Sequence, residues 1–168
     1  MEKLRGYYRE INSPLGKVLA GCVKDSLVFL QFKDTFNLKN IEKRYGIKFE
    51  KSFGNFFLNN VENQLKEYFE KKRKNFDLAL HFIVGTDFQK KCWEALMKIP
   101  YGQTISYSKQ AEMVGNKKAV RAVANANRLN PIAIIVPCHR VIGKNGKLTG
   151  YAGGIEKKEY LLKLEGAI

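Results

Sequence analysis

What most restricts the fold of this chain is a change of period partway along it. Residues 6–11, 17–23 and 27–32 alternate in strand fashion, separated only by Asn12-Ser13-Pro14-Leu15-Gly16 and Lys24-Asp25-Ser26. Turn chemistry of that kind between strands predicts a small antiparallel meander. The spacing then turns helical. Residues 38–45 fit a short helix, and residues 56–72 carry Phe57, Val61, Leu65, Tyr68 and Phe69 at helical spacing behind Asn55 as a cap. Residues 75–84 read as an extended connector, and short helices follow. Thr86 caps a segment with Phe88, Cys92, Trp93, Leu96 and Met97 on one face, stopped by Ile99-Pro100-Tyr101-Gly102. Ser106 or Tyr107 opens a second helix through Met113, and a third runs over residues 117–128. The expectation is an α+β chain in two parts, residues 1–84 with the sheet and residues 85–168 with the helices.

Thirty Lys and Arg against sixteen Asp and Glu give a net charge of +14. Such an excess attracts polyanions before any specific contact forms, which makes nucleic acid the leading partner class. The distribution strengthens that reading. Between Met113 and Ile155 there is no acidic residue, while Lys117, Lys118, Arg121, Arg128, Arg140, Lys144 and Lys147 fall there. The second and third helices, with Val114-Gly115-Asn116 between them, have the outline of a helix-turn-helix. The third is rich in alanine, and small side chains let a helix lie close to a sugar-phosphate groove. The Lys71-Lys72-Arg73-Lys74 cluster reads instead as a solvated helix end. The longest aliphatic run, residues 131–136, is far too short to span a bilayer. Three unevenly spaced cysteines form no disulfide framework, which points to a reducing, cytoplasmic setting.

One stretch carries chemistry. In Val136-Pro137-Cys138-His139-Arg140-Val141 a nucleophile and a base are bonded neighbours, and the chain has only three cysteines and two histidines. A thiol with a pKa of about 8.5 is mostly protonated at neutral pH, so a fast nucleophile needs a partner for its proton. Adjacent side chains diverge along a strand, so Cys138 and His139 can cooperate only through a turn, which Pro137 favours. A carboxylate is needed to orient the imidazole. Downstream only Glu156, Glu159 and Glu165 are available.

These residues resemble the O6-alkylguanine-DNA alkyltransferases. The similarity takes in residues 136–141, Ile99-Pro100-Tyr101-Gly102-Gln103-Thr104-Ile105-Ser106-Tyr107, Arg121-Ala122-Val123, Asn130-Pro131, Gly150-Tyr151-Ala152-Gly153-Gly154, Lys158-Glu159 and Leu161-Leu162, nearly all of residues 88–165. Ser13-Pro14-Leu15-Gly16 looks like the family's amino-terminal hairpin. The resemblance implies a ribonuclease-H-like first domain, then a winged-helix or helix-turn-helix-like DNA-binding domain that carries the active-site loop. It implies that Cys138 takes an alkyl group from O6 of guanine in double-stranded DNA and keeps it, acting once, as a monomer and without a cofactor. Within that family pattern His139 is the base, acting through a water, Glu165 orients it, Tyr107 donates a proton toward the departing guanine, and Asn130 braces the active-site turn. The damaged base must leave the stack to be reached. Arg121 then fills the gap, with Ala119, Ala122, Ala124 and Arg128 on the same minor-groove helix. Pro137, Val141, Tyr151, Ala152 and Gly153 line the pocket.

Four positions depart from the pattern: Ala124-Asn125 where many relatives have two glycines, Asn127 where a hydrophobic residue is common, and Ala152 where serine is common. Cys22 and His81 match two of the four ligands of a structural zinc that some relatives carry. Two ligands do not close such a site, so no metal is expected. The competing reading is a non-enzymatic damage-binding protein of the alkyltransferase-like kind, which lacks the acceptor cysteine.

Overall fold

Three strands, β1 (Arg5–Ile11), β2 (Val18–Val23) and β3 (Ser26–Phe32), pair antiparallel in sequence order. The sheet is not a pure meander. A fourth strand, β4 (Lys48–Lys51), lies parallel to β1 and gives the order β3-β2-β1-β4. Its four residues are too few for alternation to register in the sequence, and three of them are exposed. Helix α1 (Leu38–Tyr45) bridges β3 and β4, capped by the Asn37 side chain and ended by Gly46 in the left-handed region. Phe29, Tyr45 and Phe49 meet edge to face beneath it, with Leu19, Val28 and Ile47 around them. Gly21 is required opposite Phe29, because a Cβ there would fall 1.9 Å from its ring.

Helix α2 (Phe56–Phe69) packs on β1 and β2. Asn55 caps it through a bond from Leu58 N, but the inward face is Leu58, Val61, Gln64, Leu65 and Tyr68, and Phe57 is only half-buried. Gln64 exchanges two hydrogen bonds with the Asp77 backbone and so ties the connector to the helix. The Lys71–Lys74 cations lie in the turn after α2, where Lys72 and Arg73 pair with Glu70 and Glu67.

The computed structural model describes residues 4–168, which divide into two compact units between Val84 and Gly85. In the second unit, α3 (Asp87–Leu96) begins at a capping box between Thr86 and Gln89. Its Trp93 is wholly buried and donates its indole N–H to Ala126 O at 2.8 Å. Strand β5 (Ile105–Ser106), α4 (Tyr107–Met113) and α5 (Val120–Arg128) follow, with Ser106 capping α4. The third helix thus starts three residues later than its sequence suggests. Ala119 is its N-cap, after a turn in which Asn116 accepts from Lys118 N. A short strand β6 (Val141–Ile142) pairs parallel to β5, and α6 (Ile155–Leu164) closes the unit. No described helix is long and apolar enough to cross a membrane.

Candidate active site

The aliphatic run 131–136 is not a strand but a series of tight turns. Ile134 sits at φ 71°, a conformation that costs a β-branched residue of order 1–3 kcal/mol and persists only where neighbours enforce it. Asn130 does the enforcing. Its Nδ2 donates to Val136 O at 2.8 Å and its Oδ1 accepts from Ile132 N at 3.0 Å, so one buried amide clasps both ends of the turn. The chain then enters a one-turn 3₁₀ helix, Cys138–Arg140, which places nucleophile, imidazole and guanidinium on successive residues. Because β6 begins at the next residue and pairs with β5, the start of α4 is tied to this turn. That pairing sets Tyr107, the first residue of α4, beside the active-site segment.

His139 is fully buried, and its Nε2 lies 2.8 Å from Glu165 Oε2. Burial opposes ionisation of Glu165. Bonds from His139 and Arg140 outweigh that opposition and hold its pKa at about 2. An ionised carboxylate only accepts, so Nε2 bears the proton and Nδ1 keeps the lone pair. Nδ1 is buried and has no hydrogen-bond partner among the described residues. Burial lowers the His139 pKa, against the pull of Glu165, so the resting imidazole is neutral. Burial also pushes the Cys138 thiol up, partly offset by Asn130 and by the charge of Lys158. Cys138 therefore rests as a thiol, and any attack by its sulfur requires that proton to leave.

Lys158, on α6 and wholly buried, donates to the carbonyls of Val141 and Thr149 and lies 5.8 Å from the Tyr107 ring centroid. Burial lowers its pKa to about 8. The Tyr107 hydroxyl donates to the same Thr149 carbonyl at 3.0 Å, and burial keeps it protonated. The sequence counts Arg140 among the cations that would meet a polyanion and gives Lys158 no role of its own, but both are buried, Arg140 against Glu165. Only their burial despite full charge singles them out. Among the pocket candidates, Pro137 and Val141 are buried, Tyr151 and Gly153 half-buried, and Ala152 exposed in the glycine-rich loop before α6.

Helix α5 has two faces. Val123, Ala126 and Asn127 point inward, while Arg121, Ala122, Asn125 and Arg128 are exposed, with Arg128 bonded to Asn125 Oδ1 at 2.7 Å. Ala119 and Ala124 are half-buried at the edge of the core. Asn127 exchanges two hydrogen bonds, 2.8 and 2.7 Å, with Gln110 of α4, and Gln110 also donates to Cys92 O. This polar pair thus sits beside the apolar contact that Ala111 of α4 makes with Val123 and Ala126 of α5. In the first unit, Cys22 is buried with Sγ 3.9 Å from Asn55 Oδ1, whereas His81 is exposed. The described residues hold no group of three or more potential metal ligands.

Comparison with known proteins agrees with this arrangement. Residues 6–82 match the model of the 6-O-methylguanine DNA methyltransferase ribonuclease-like domain, and residues 87–167 that of the DNA binding domain. A methylated-DNA–protein-cysteine methyltransferase from Methanosarcina acetivorans is 46% identical over 96% of this chain and 99% of its own. The constitutive enzyme of that name from Bacillus subtilis is 43% identical over 95% and 94%. The crystal structure of the Mycobacterium tuberculosis O6-methylguanine methyltransferase superposes with a TM-score of 0.85 at 42% identity, covering 96% of this chain and 93% of that one. A structure of the mycobacterial protein in complex with DNA matches equally well. Matched in both of its units, this chain belongs to the 6-O-methylguanine DNA methyltransferase family, the methylated-DNA–protein-cysteine methyltransferases.

Proposed function

We propose that this chain repairs DNA directly, moving an alkyl group from O6 of guanine to Cys138 Sγ, once per molecule. The observation that carries the reading is the Cys138–Arg140 turn, in which the imidazole beside the acceptor thiol is pinned at Nε2 by Glu165 and left open at Nδ1. In the step, a bond forms between Sγ and the alkyl carbon as the bond from that carbon to O6 breaks. The electron pair of the broken bond stays with guanine. The thiol proton passes to His139 Nδ1 through a water, and the guanine ring takes a proton from Tyr107, whose hydroxyl must leave Thr149 O to give it. The thioether that results has no leaving group, so the protein does not turn over.

Double-stranded DNA is the substrate. The exposed face of α5 suits a minor groove: Arg121 enters the stack as the base leaves it, Arg128 meets phosphate, and Ala119, Ala122 and Ala124 keep the helix close. Pro137, Val141, Tyr151, Ala152 and Gly153 surround the flipped base, and Asn130 holds the turn that presents the sulfur. The protein acts as a monomer in the cytoplasm and needs no cofactor. A purely damage-binding role requires the acceptor to be missing, and Cys138 is present. With a duplex carrying O6-methylguanine in large excess, methyl transfer is expected to stop at one equivalent per chain and to vanish in Cys138→Ala. Continued turnover, or transfer by Cys138→Ala, would refute the reading.

A further inference from the structure

Arg140 stands in the turn with the nucleophile and the base, yet the transfer chemistry gives it no task. Its buried guanidinium is bonded at all three nitrogens. Nε donates to Glu165 Oε1 at 2.8 Å, Nη2 to Glu165 Oε2 at 3.0 Å, and Nη1 to Ile99 O at 2.7 Å. The Tyr101 ring covers it with its centroid 5.8 Å away, and the Tyr101 hydroxyl donates to Leu164 O. Gly102, at φ 81°, passes so close that a Cβ there would lie 3.1 Å from Glu165 O. The Ile99-Pro100-Tyr101-Gly102 segment therefore encloses the Arg140–Glu165 pair. Burying such a pair strips both ions of water, which their attraction must offset, and an apolar filling would serve stability as well. What a guanidinium adds is a rigid fork that fixes a carboxylate in one plane.

We propose that Arg140 is a positioning residue for alkyl transfer: by gripping both oxygens of Glu165 it holds the carboxylate where Oε2 receives the His139 Nε2 proton, and so keeps Nδ1 as the open nitrogen. The inference rests on reading His139 as the base for Cys138. The charge of Arg140 has a second effect. Oε2 accepts from both His139 and Arg140, so the imidazole faces a carboxylate already neutralised by its other partner. From the end of α6, Glu165 favours the imidazolium and Lys158 opposes it. On its own turn Arg140 opposes it too. The tyrosines near the site, Tyr101, Tyr107 and Tyr151, are kept protonated by burial. Removing the Arg140 charge leaves Glu165 to stabilise the imidazolium, which cannot take the thiol proton.

The test is the single-turnover rate from an O6-methylguanine duplex, and from free O6-benzylguanine, across the range in which histidine titrates. In Arg140→Met the acid limb of the profile is expected to move up by about one pH unit, a loss of about tenfold at pH values below the limb for both substrates. In Arg140→Lys, which keeps the charge but not the fork, the limb should return to its wild-type position. Imidazole nitrogen NMR of His139 provides a readout that survives a failure of Arg140→Met to fold. The wild type should show one tautomer, protonated at Nε2, and Arg140→Lys a mixture. A uniform rate loss with an unmoved limb, or an unchanged tautomer in Arg140→Lys, would overturn the proposal. Those outcomes are distinct from failure of the functional reading, in which wild-type Cys138 takes up no alkyl group at all.

Discussion

Cys138 has the surroundings of a thiol that must be deprotonated on demand. Burial keeps it protonated, His139 is neutral, and Glu165 is ionised with a pKa near 2. Replacing Glu165 with Gln removes the acceptor that fixes the imidazole. Single-turnover transfer should slow by about 100-fold, the lower range of general-base contributions, while DNA affinity is unchanged. An unchanged rate would remove Glu165 from the site. The same residue sets an acid-side stability term. Its folded pKa lies below the ordinary 4.5, so the unfolded chain takes up the proton first as pH falls. The advantage of the wild type over Glu165→Gln should be constant above about pH 4.5, shrink as pH falls toward about 2, and then level off, as read from denaturant unfolding at a series of pH values.

Among the elements, the β5–β6 pair and the α4–α5 contact position the residues that act. Gln110 and Asn127 exchange amide hydrogen bonds in a buried site, so losing Asn127 strands the Gln110 amide oxygen, although Gln110 keeps its bond to Cys92 O. Asn127→Ala should cost about 1–3 kcal/mol of stability. The double replacement Gln110→Leu with Asn127→Leu should cost well under the sum of the two single changes, because no amide is then stranded. Additive losses in denaturant unfolding would contradict that pairing. The pair also shows where sequence reading stops. Asn127 reads only as a polar residue where a hydrophobic one is common until Gln110 is seen across from it. Local signals were legible where their chemistry is local: Asn55, Thr86 and Ser106 cap the helices that follow them. Strand β4 and the turns of residues 131–136 were not. The first depends on its parallel partner β1, and the second on Asn130 forcing an aliphatic run out of the extended form. The pairing of Glu165 with His139 spans 26 residues; the need for a carboxylate left three candidates downstream, and only the family resemblance singled out Glu165 among them. Arg140 gave no such signal, because an arginine in a basic stretch reads as surface charge.

For the molecule as a whole, a net charge of +14 and an acid-free segment around the acceptor fit an enzyme whose substrate is a polyanion. The exposed face of α5 links that charge to the chemistry. Flipping a base costs a few kcal/mol, and the role proposed for the exposed Arg121 is to offset it. Arg121→Ala should lose about tenfold or more in repair of a duplex, equivalent to about 1.4 kcal/mol, while reacting normally with free O6-benzylguanine. Equal losses on both substrates would exclude the role. The most direct measurement is the mass of the peptide that holds Cys138, taken after reaction with one equivalent of O6-methylguanine duplex. One methyl group in place of the thiol hydrogen of Cys138, with Cys22 and Cys92 unmodified, is the expected result. An unmodified Cys138 after the lesion has been consumed, or a methyl group on any other residue, would contradict it.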